Sequence, residues 1–176
     1  MRLTLYTDYS LRVLVYLAAL PERPSTIKDV ADAYGISRNH VHKIVNDLVH
    51  HGYIQTTRGR NGGIVLAKNP GSIVLGTLIR LTEPDFRVVE CLDRPHSDCP
   101  IDSVCVMRHL LNTATEAFLK TLDRYTLEDI VENVSLLRPI LIGNLRPAGQ
   151  SESDSHTPAD RKVSPAIQEP TQREQP

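Results

Sequence analysis

Cys91, Cys99 and Cys105 are the only cysteines of this 176-residue chain, spaced C-x7-C-x5-C through a stretch rich in proline and aspartate. The residues between them, among them Pro95, His96, Ser97, Asp98, Pro100 and Asp102, follow neither helical nor strand periodicity, so the three sulfurs can converge from a loop. Thiolates are soft donors that select zinc, copper(I) or iron-sulfur clusters. A cluster usually takes four thiolates and this chain offers three, so a donor other than cysteine must complete such a site. Cysteines that serve only as small buried hydrophobes sit on periodic apolar faces, which this stretch lacks. An odd count with no secretory signal ahead of it argues against a disulfide framework.

Two other chemistries compete for the same residues. Cys91, His96, Cys99 and Cys105 could form a structural Cys3His zinc site, although no compact C-x2-C pair is present. A cysteine nucleophile with His96 or His109 as base would make an enzyme, but no oxyanion turn or substrate motif accompanies it.

The elements ahead of this loop carry the positive charge. Residues 1–70 hold nine Lys and Arg against five Asp and Glu, whereas residues 71–146 hold eight against eleven and residues 147–176 three against five. A local basic surface attracts phosphate even on a chain of net charge −1. Leu11, Leu14, Val15 and Ala18 recur at helical spacing, which predicts a first helix capped at Thr7-Asp8, running to Leu20 and stopped by Pro21. Its apolar run is too short to span a bilayer, which predicts a cytoplasmic protein without a membrane partner. Thr26 opens a second helix through Ile27, Val30, Ala31 and Tyr34, and Gly35 ends it. Ser37 opens a third, with Val41, Ile44, Val45 and Leu48 facing inward. Two short helices joined through Gly35 make a helix-turn-helix.

In that motif the second helix enters the major groove of double-stranded DNA, and its first residues approach base edges. Here they are Ser37, Arg38, Asn39 and His40, followed one turn on by His42 and Lys43. Arg can grip guanine and Asn adenine with paired hydrogen bonds. A solvated helix face would have the same composition, but the next residues separate the two readings. Tyr53, Ile54 and Gln55 predict a strand, Arg58-Gly59-Arg60-Asn61-Gly62-Gly63 a turn, and Ile64, Val65 and Leu66 the returning strand. A hairpin tipped by Arg58, Arg60 and Asn61 is a wing suited to the sugar-phosphate rail or the minor groove. No Gly-Lys-Ser/Thr ending supports a nucleotide-binding loop instead.

Val74–Leu81 reads as a short helix ended by Glu83-Pro84. Beyond the cysteines, Met107, Leu110, Leu111, Ala114, Ala117, Phe118, Thr121 and Leu122 trace a long helix with a coiled-coil-like seam and no evident partner in so small a chain. Pairing with its copy would give a twofold homodimer matched to palindromic operators. A last short helix is predicted from Thr126 around Ile130, Val131 and Val134, and from Pro147 onward the composition is that of a disordered tail.

The predicted fold class is therefore mainly α: a winged helix-turn-helix over residues 1–70, a cluster-binding loop with a long dimerisation helix over 71–146, and a tail over 147–176. Taken in order, Thr7-Asp8-Tyr9-Ser10-Leu11-Arg12, Ser37-Arg38-Asn39-His40, the Arg58–Gly63 turn, the three cysteines and Tyr125-Thr126-Leu127-Glu128-Asp129 resemble the NsrR family of nitric-oxide-sensing transcriptional repressors. The resemblance spans about residues 1–145. It implies a homodimer with one 4Fe-4S cluster per subunit, or alternatively a 2Fe-2S cluster, that binds operators when intact and releases them when nitric oxide attacks the iron. It also implies the ligands: Cys91, Cys99 and Cys105 of one subunit, with Asp8 from the other subunit as the fourth. The C-x7-C spacing occurs as well in related iron-sensing regulators of the same fold, so nitric oxide and iron status both stand as candidate signals.

Overall fold

Each of the first three helices begins where a side-chain oxygen accepts a backbone N–H that the helix itself cannot satisfy. The computed structural model describes residues 2–59, 62–92 and 99–143. Helix α1 spans Leu5–Ala19, and its cap is Thr4, whose hydroxyl accepts from the Thr7 N–H. This corrects the expected cap at Thr7-Asp8: an extended Thr4 takes that role three residues earlier, so Thr7 and Asp8 lie inside the helix. Helix α2 spans Ile27–Tyr34 and opens on a reciprocal capping box between Thr26 and Asp29. Gly35 closes it at φ 64°, where a side chain would be strained. Helix α3 spans Arg38–His50 and is capped by Ser37.

The hairpin follows as strands β1 (Ile54–Thr57) and β2 (Gly63–Leu66), paired antiparallel from Ile54↔Leu66 to Thr57↔Gly63. Tyr53 stays outside the ladder because its N–H closes the end of α3 on the Leu48 carbonyl at 2.9 Å. Ser25 adds a short bridge on the other side of β2 through two bonds to Ile64, of 3.0 and 2.8 Å. The approach requires a glycine at position 63, since a Cβ there would meet the Ser25 carbonyl at 2.5 Å.

Helix α1 runs through the middle of the core. Val13, Leu14 and Leu17 meet Val30 and Ala33 of α2, Val41, Ile44, Val45 and Leu48 of α3, and Ile64 of β2, all buried. Core residues from beyond position 70 join them: Leu78 of α4 (Leu75–Thr82), Leu127 of α6 (Leu127–Ile130) and Leu141 of α7 (Val134–Gly143). Each such side chain contributes about 1.5–3 kcal/mol by leaving water. The approach to α4 is stitched to that of α6 by Leu75 N–H to the Tyr125 carbonyl and Leu127 N–H to the Ile73 carbonyl, both 2.9 Å.

The C-terminal region departs from expectation in one element. In place of one short helix after Thr126, α6 stops at Ile130 and α7 restarts at Val134, continuing to Gly143 with Pro139 inside it. Arg138 of α7 pairs with Glu22 and donates to the Ala19 carbonyl at 2.7 Å, capping the end of α1. Helix α5 (Val106–Leu122) behaves differently: none of its 17 residues is buried. No helix among the described residues is long and apolar enough to cross a membrane. Arg60, Asn61, residues 93–98 with His96, and the tail from Pro147 lie outside the described residues.

Candidate nucleic-acid interface and cysteine site

Helix α3 buries Val41, Ile44, Val45 and Leu48 on one side, which leaves Arg38, Asn39, His40, His42 and Lys43 exposed on the rest. Ser37 is tied into the cap, its hydroxyl accepting from the His40 N–H at 3.3 Å, so it fixes the start of the helix and the direction of the residues after it. Asn46 lies one turn past His42 and holds its Nδ1 at 3.2 Å. Arg58 stands exposed just past the end of β1. At the other end of the hairpin Lys68 sits 4.2 Å over the Tyr53 ring, a second cation that the sequence pattern did not single out.

Helix α1 contributes residues to this face that motif reading missed. The Tyr9 ring lies 6.2 Å from the His40 ring, and the Arg12 guanidinium sits 5.8 Å from both the Tyr9 and Tyr34 rings. Arg12 also grips Asp8, with Nε 3.1 Å from Oδ1 and a second nitrogen 2.8 Å from Oδ2. Their shared spacing along one helical turn was the available signal. Tyr6, one turn earlier, donates its hydroxyl to Asp47 of α3, and burial together with that carboxylate pushes the phenol above its usual range. A cleft of about 200 Å³ remains between Leu5, Tyr6 and Tyr9 of α1 and His40, Lys43 and Ile44 of α3.

Asp8 itself is half-exposed and does not cap its helix. A carboxylate in the first turn gains from the helix dipole and from Arg12, and both leave it open to solvent and to a neighbouring molecule.

Of the cysteines, Cys91 lies in a short turn, Cys99 in irregular chain and Cys105 at the start of α5. Cys91 lies in a 3-10 turn, Glu90–Leu92, that packs against α5. Cys99 is exposed, and its carbonyl accepts from the Asp102 N–H at 3.0 Å to open the next turn, Asp102–Val104. Cys105 is the N-cap residue of α5, and its side chain makes no capping bond. All three are thiols. Arg108 reaches back from α5 to Asp102 at 2.6 Å and thereby pins the stretch between Cys99 and Cys105. The other Asp102 oxygen is buried without a hydrogen-bond partner among the described residues. Within one chain, no group of three or more His, Cys, Asp or Glu among the described residues is gathered to hold a metal ion. His109 is exposed on α5, one turn past Cys105.

The donor chemistry fits a sulfur-rich iron centre. Three soft ligands come from one segment, a helix start suited to negative charge lies beside them, and an aspartate between two of them keeps an unsatisfied oxygen.

A sequence model of Rrf2, described as an iron-dependent transcriptional regulator, matches residues 3–133. The chain is 48% identical over 142 residues to the HTH-type transcriptional regulator NsrR of Bacillus licheniformis, covering 80% of this chain and 99% of that one. It is 51% identical over 136 residues to NsrR of Bacillus subtilis, covering 76% and 92%. Among solved structures it is similar to CymR, the global cysteine regulator of B. subtilis, with a TM-score of 0.63 and 26% identity over 76% of this chain and 98% of that one.

Proposed function

The chain belongs to the Rrf2 family of transcriptional regulators, and from that premise we propose a homodimeric repressor whose grip on palindromic double-stranded operator DNA is set by an iron-sulfur cluster, with nitric oxide as its signal. Membership of a family of regulators sets aside the enzymatic reading of a cysteine nucleophile. Cys91, Cys99 and Cys105 of one protomer, with Asp8 of the partner subunit, would hold a 4Fe-4S cluster. When bound, the cluster supplies iron that reacts with nitric oxide.

The observation that carries this reading is the position of Asp8. It is free of capping duty, half-exposed, and connected through Arg12 and Tyr9 to His40 in the reading head. In the protomer alone Arg12 holds the carboxylate. Engaging Asp8 with the neighbouring protomer's cysteines would release Arg12, whose guanidinium packs on Tyr9 and Tyr34, so the contact between α1 and the start of α3 would change with it. Two reading heads that shift by a small rotation lose a fixed half-site spacing, which is how a local ligand change alters operator affinity. Helix α5 supports the dimer: Met107 and Leu110 are 60% and 57% exposed in one protomer, apolar surface that a twofold partner would cover.

Anaerobically purified protein tests the reading. Broad visible absorption that bleaches with nitric oxide, in step with loss of operator binding, is expected. A colourless, zinc-loaded protein that binds operator regardless of nitric oxide would replace it with the Cys3His zinc site, and bleaching on iron chelation alone would favour iron status as the signal.

A further inference from the structure

The segment that leads out of α4 toward Cys91 is fastened to the first turn of α1. Glu83, the residue that closes α4, accepts from the Thr4 backbone N–H at 2.7 Å and from the Thr4 hydroxyl at 3.1 Å through the same Oε1. Beside it Thr7 donates to Thr82 at 2.9 Å, between two side chains 0% and 7% exposed, and Thr82 donates back to the Leu78 carbonyl at 3.1 Å. The Thr4 carbonyl in turn accepts from the Asp8 N–H at 3.0 Å. An unbroken hydrogen-bonded path therefore runs from the backbone of Asp8, through Thr4, to Glu83.

Thr7 and Thr82 are buried hydroxyls, and parting them would break their bond where water does not replace it, so the bond holds the two helix ends together. Glu83 is only half-buried, and a carboxylate accepting two bonds from one residue makes the clamp directional. Seven residues separate Glu83 from Cys91, a short tether to the first of the cysteines.

Resting on the ligand set proposed above, we propose that Glu83 is a positioning residue that couples the two cluster sites of the dimer. Each protomer gives Asp8 to one site and its cysteines to the other, and Glu83 is the side chain that joins those two contributions within the protomer. With Glu83 already seated on Thr4, engaging the cysteines at one site restrains the end of α4 and, through Glu83, the Asp8 turn that the second site needs. A carboxylate and an amide can both accept from Thr4, so Glu83→Gln preserves the device. Glu83→Ala removes it, and Glu83→Asp keeps the charge but falls short by one methylene.

Native mass spectrometry of the full-length dimer, reconstituted anaerobically with limiting iron and sulfide, counts dimers with no, one and two clusters. In the parent protein and in Glu83→Gln the half-loaded dimer should be depleted about twofold below its binomial share, equivalent to a coupling factor on the order of 10. Glu83→Ala should restore the binomial share, and Glu83→Asp should do the same, serving as the informative variant if Glu83→Ala does not fold. A parent protein that fills its two sites independently overturns the coupling while leaving the cluster reading intact, as do Ala and Asp variants as depleted as the parent. A parent protein that takes up no cluster overturns both.

Discussion

Asp8, the proposed fourth ligand, is only weakly held by its own chain. Its ion pair with Arg12 joins side chains 41% and 43% exposed, and an exposed i,i+4 pair is worth only about 0.3–0.5 kcal/mol. Exchanging Arg12 for a ligand on the other subunit is therefore cheap, as a switch requires. Asp8→Ala should change the melting stability of the cluster-free protein by less than about 1 kcal/mol, yet alter the absorption and circular dichroism of the anaerobic holoprotein. Spectra identical to the parent's would remove Asp8 from the ligand set and move the search for a fourth donor to His96 or His109. Sequence alone assigned this residue to capping, and only the family resemblance made it a ligand; its setting inside α1 was not legible. Thr4 and Thr7 are both competent caps, and only the bonds to Glu83 at the α4 end decide for Thr4. At the start of α3, Asn39 is exposed, and under the proposed function it would read a base edge of the operator. Asn39→Ala should cost roughly 1–3 kcal/mol on the matched operator and far less on one altered at the base it reads. Equal losses on both duplexes, measured at one salt concentration, would exclude it from base recognition.

At the scale of elements, what could be read from the chain was what its local chemistry specifies. Thr26 with Asp29, Gly35, Ser37 and the glycine-rich turn declare their boundaries in a few residues, and α2, α3 and the hairpin follow from them. Helix α7 escaped because Pro139 argues against a helix interior. Long-range contacts override that signal: Leu141 is buried against the core and Arg138 caps α1 from 119 residues away. Helix α5 was legible for the opposite reason, since its apolar seam is not consumed by its own fold. At about 25 Å it is long enough to pair along its length with a copy. A Met107→Lys, Leu110→Lys double variant should keep its helix content, because both side chains are exposed in the protomer, and should sediment as a monomer under conditions where the parent is expected to sediment as a dimer. Dimers that persist in the double variant would place the interface elsewhere.

Across the whole molecule α1 is shared by every function proposed for the chain. Its inner face is the core, its first turn carries Asp8 and the clamp to α4, and its Tyr9 edge meets the reading head. The aromatic packing around Arg12 gives this arrangement an alkaline limit. Burial raises the Tyr34 phenol to about 12 from its ordinary value near 10, with Arg12 partly opposing the rise. The folded protein therefore binds that proton more tightly than the unfolded chain, and stability unaffected below pH 10 should fall as pH rises toward 12. Burial raises the phenols of Tyr6, Tyr16 and Tyr53 as well, so Tyr34→Phe should make that part of a pH–melting curve shallower without abolishing it, and an unchanged slope would exclude Tyr34 from it.

The exposure of Cys99 permits a decisive variant. The bond from the Asp102 N–H to the Cys99 carbonyl belongs to the backbone, so Cys99→Ala keeps that bond while removing a sulfur. Two thiols and a distant carboxylate are too few to retain an iron-sulfur centre, and the loop loses the cross-link that would order it. The variant should fold and dimerise, show no visible absorption, and lose its preference for operator over unrelated duplex. The basic face of α3 and the wing would still supply the salt-sensitive, sequence-independent part of binding. A duplex selected from a random pool by the parent protein, compared with a scrambled one at fixed ionic strength, measures that preference directly. A cluster-free Cys99→Ala protein that binds the selected duplex as tightly as the parent would separate DNA recognition from the cysteines altogether.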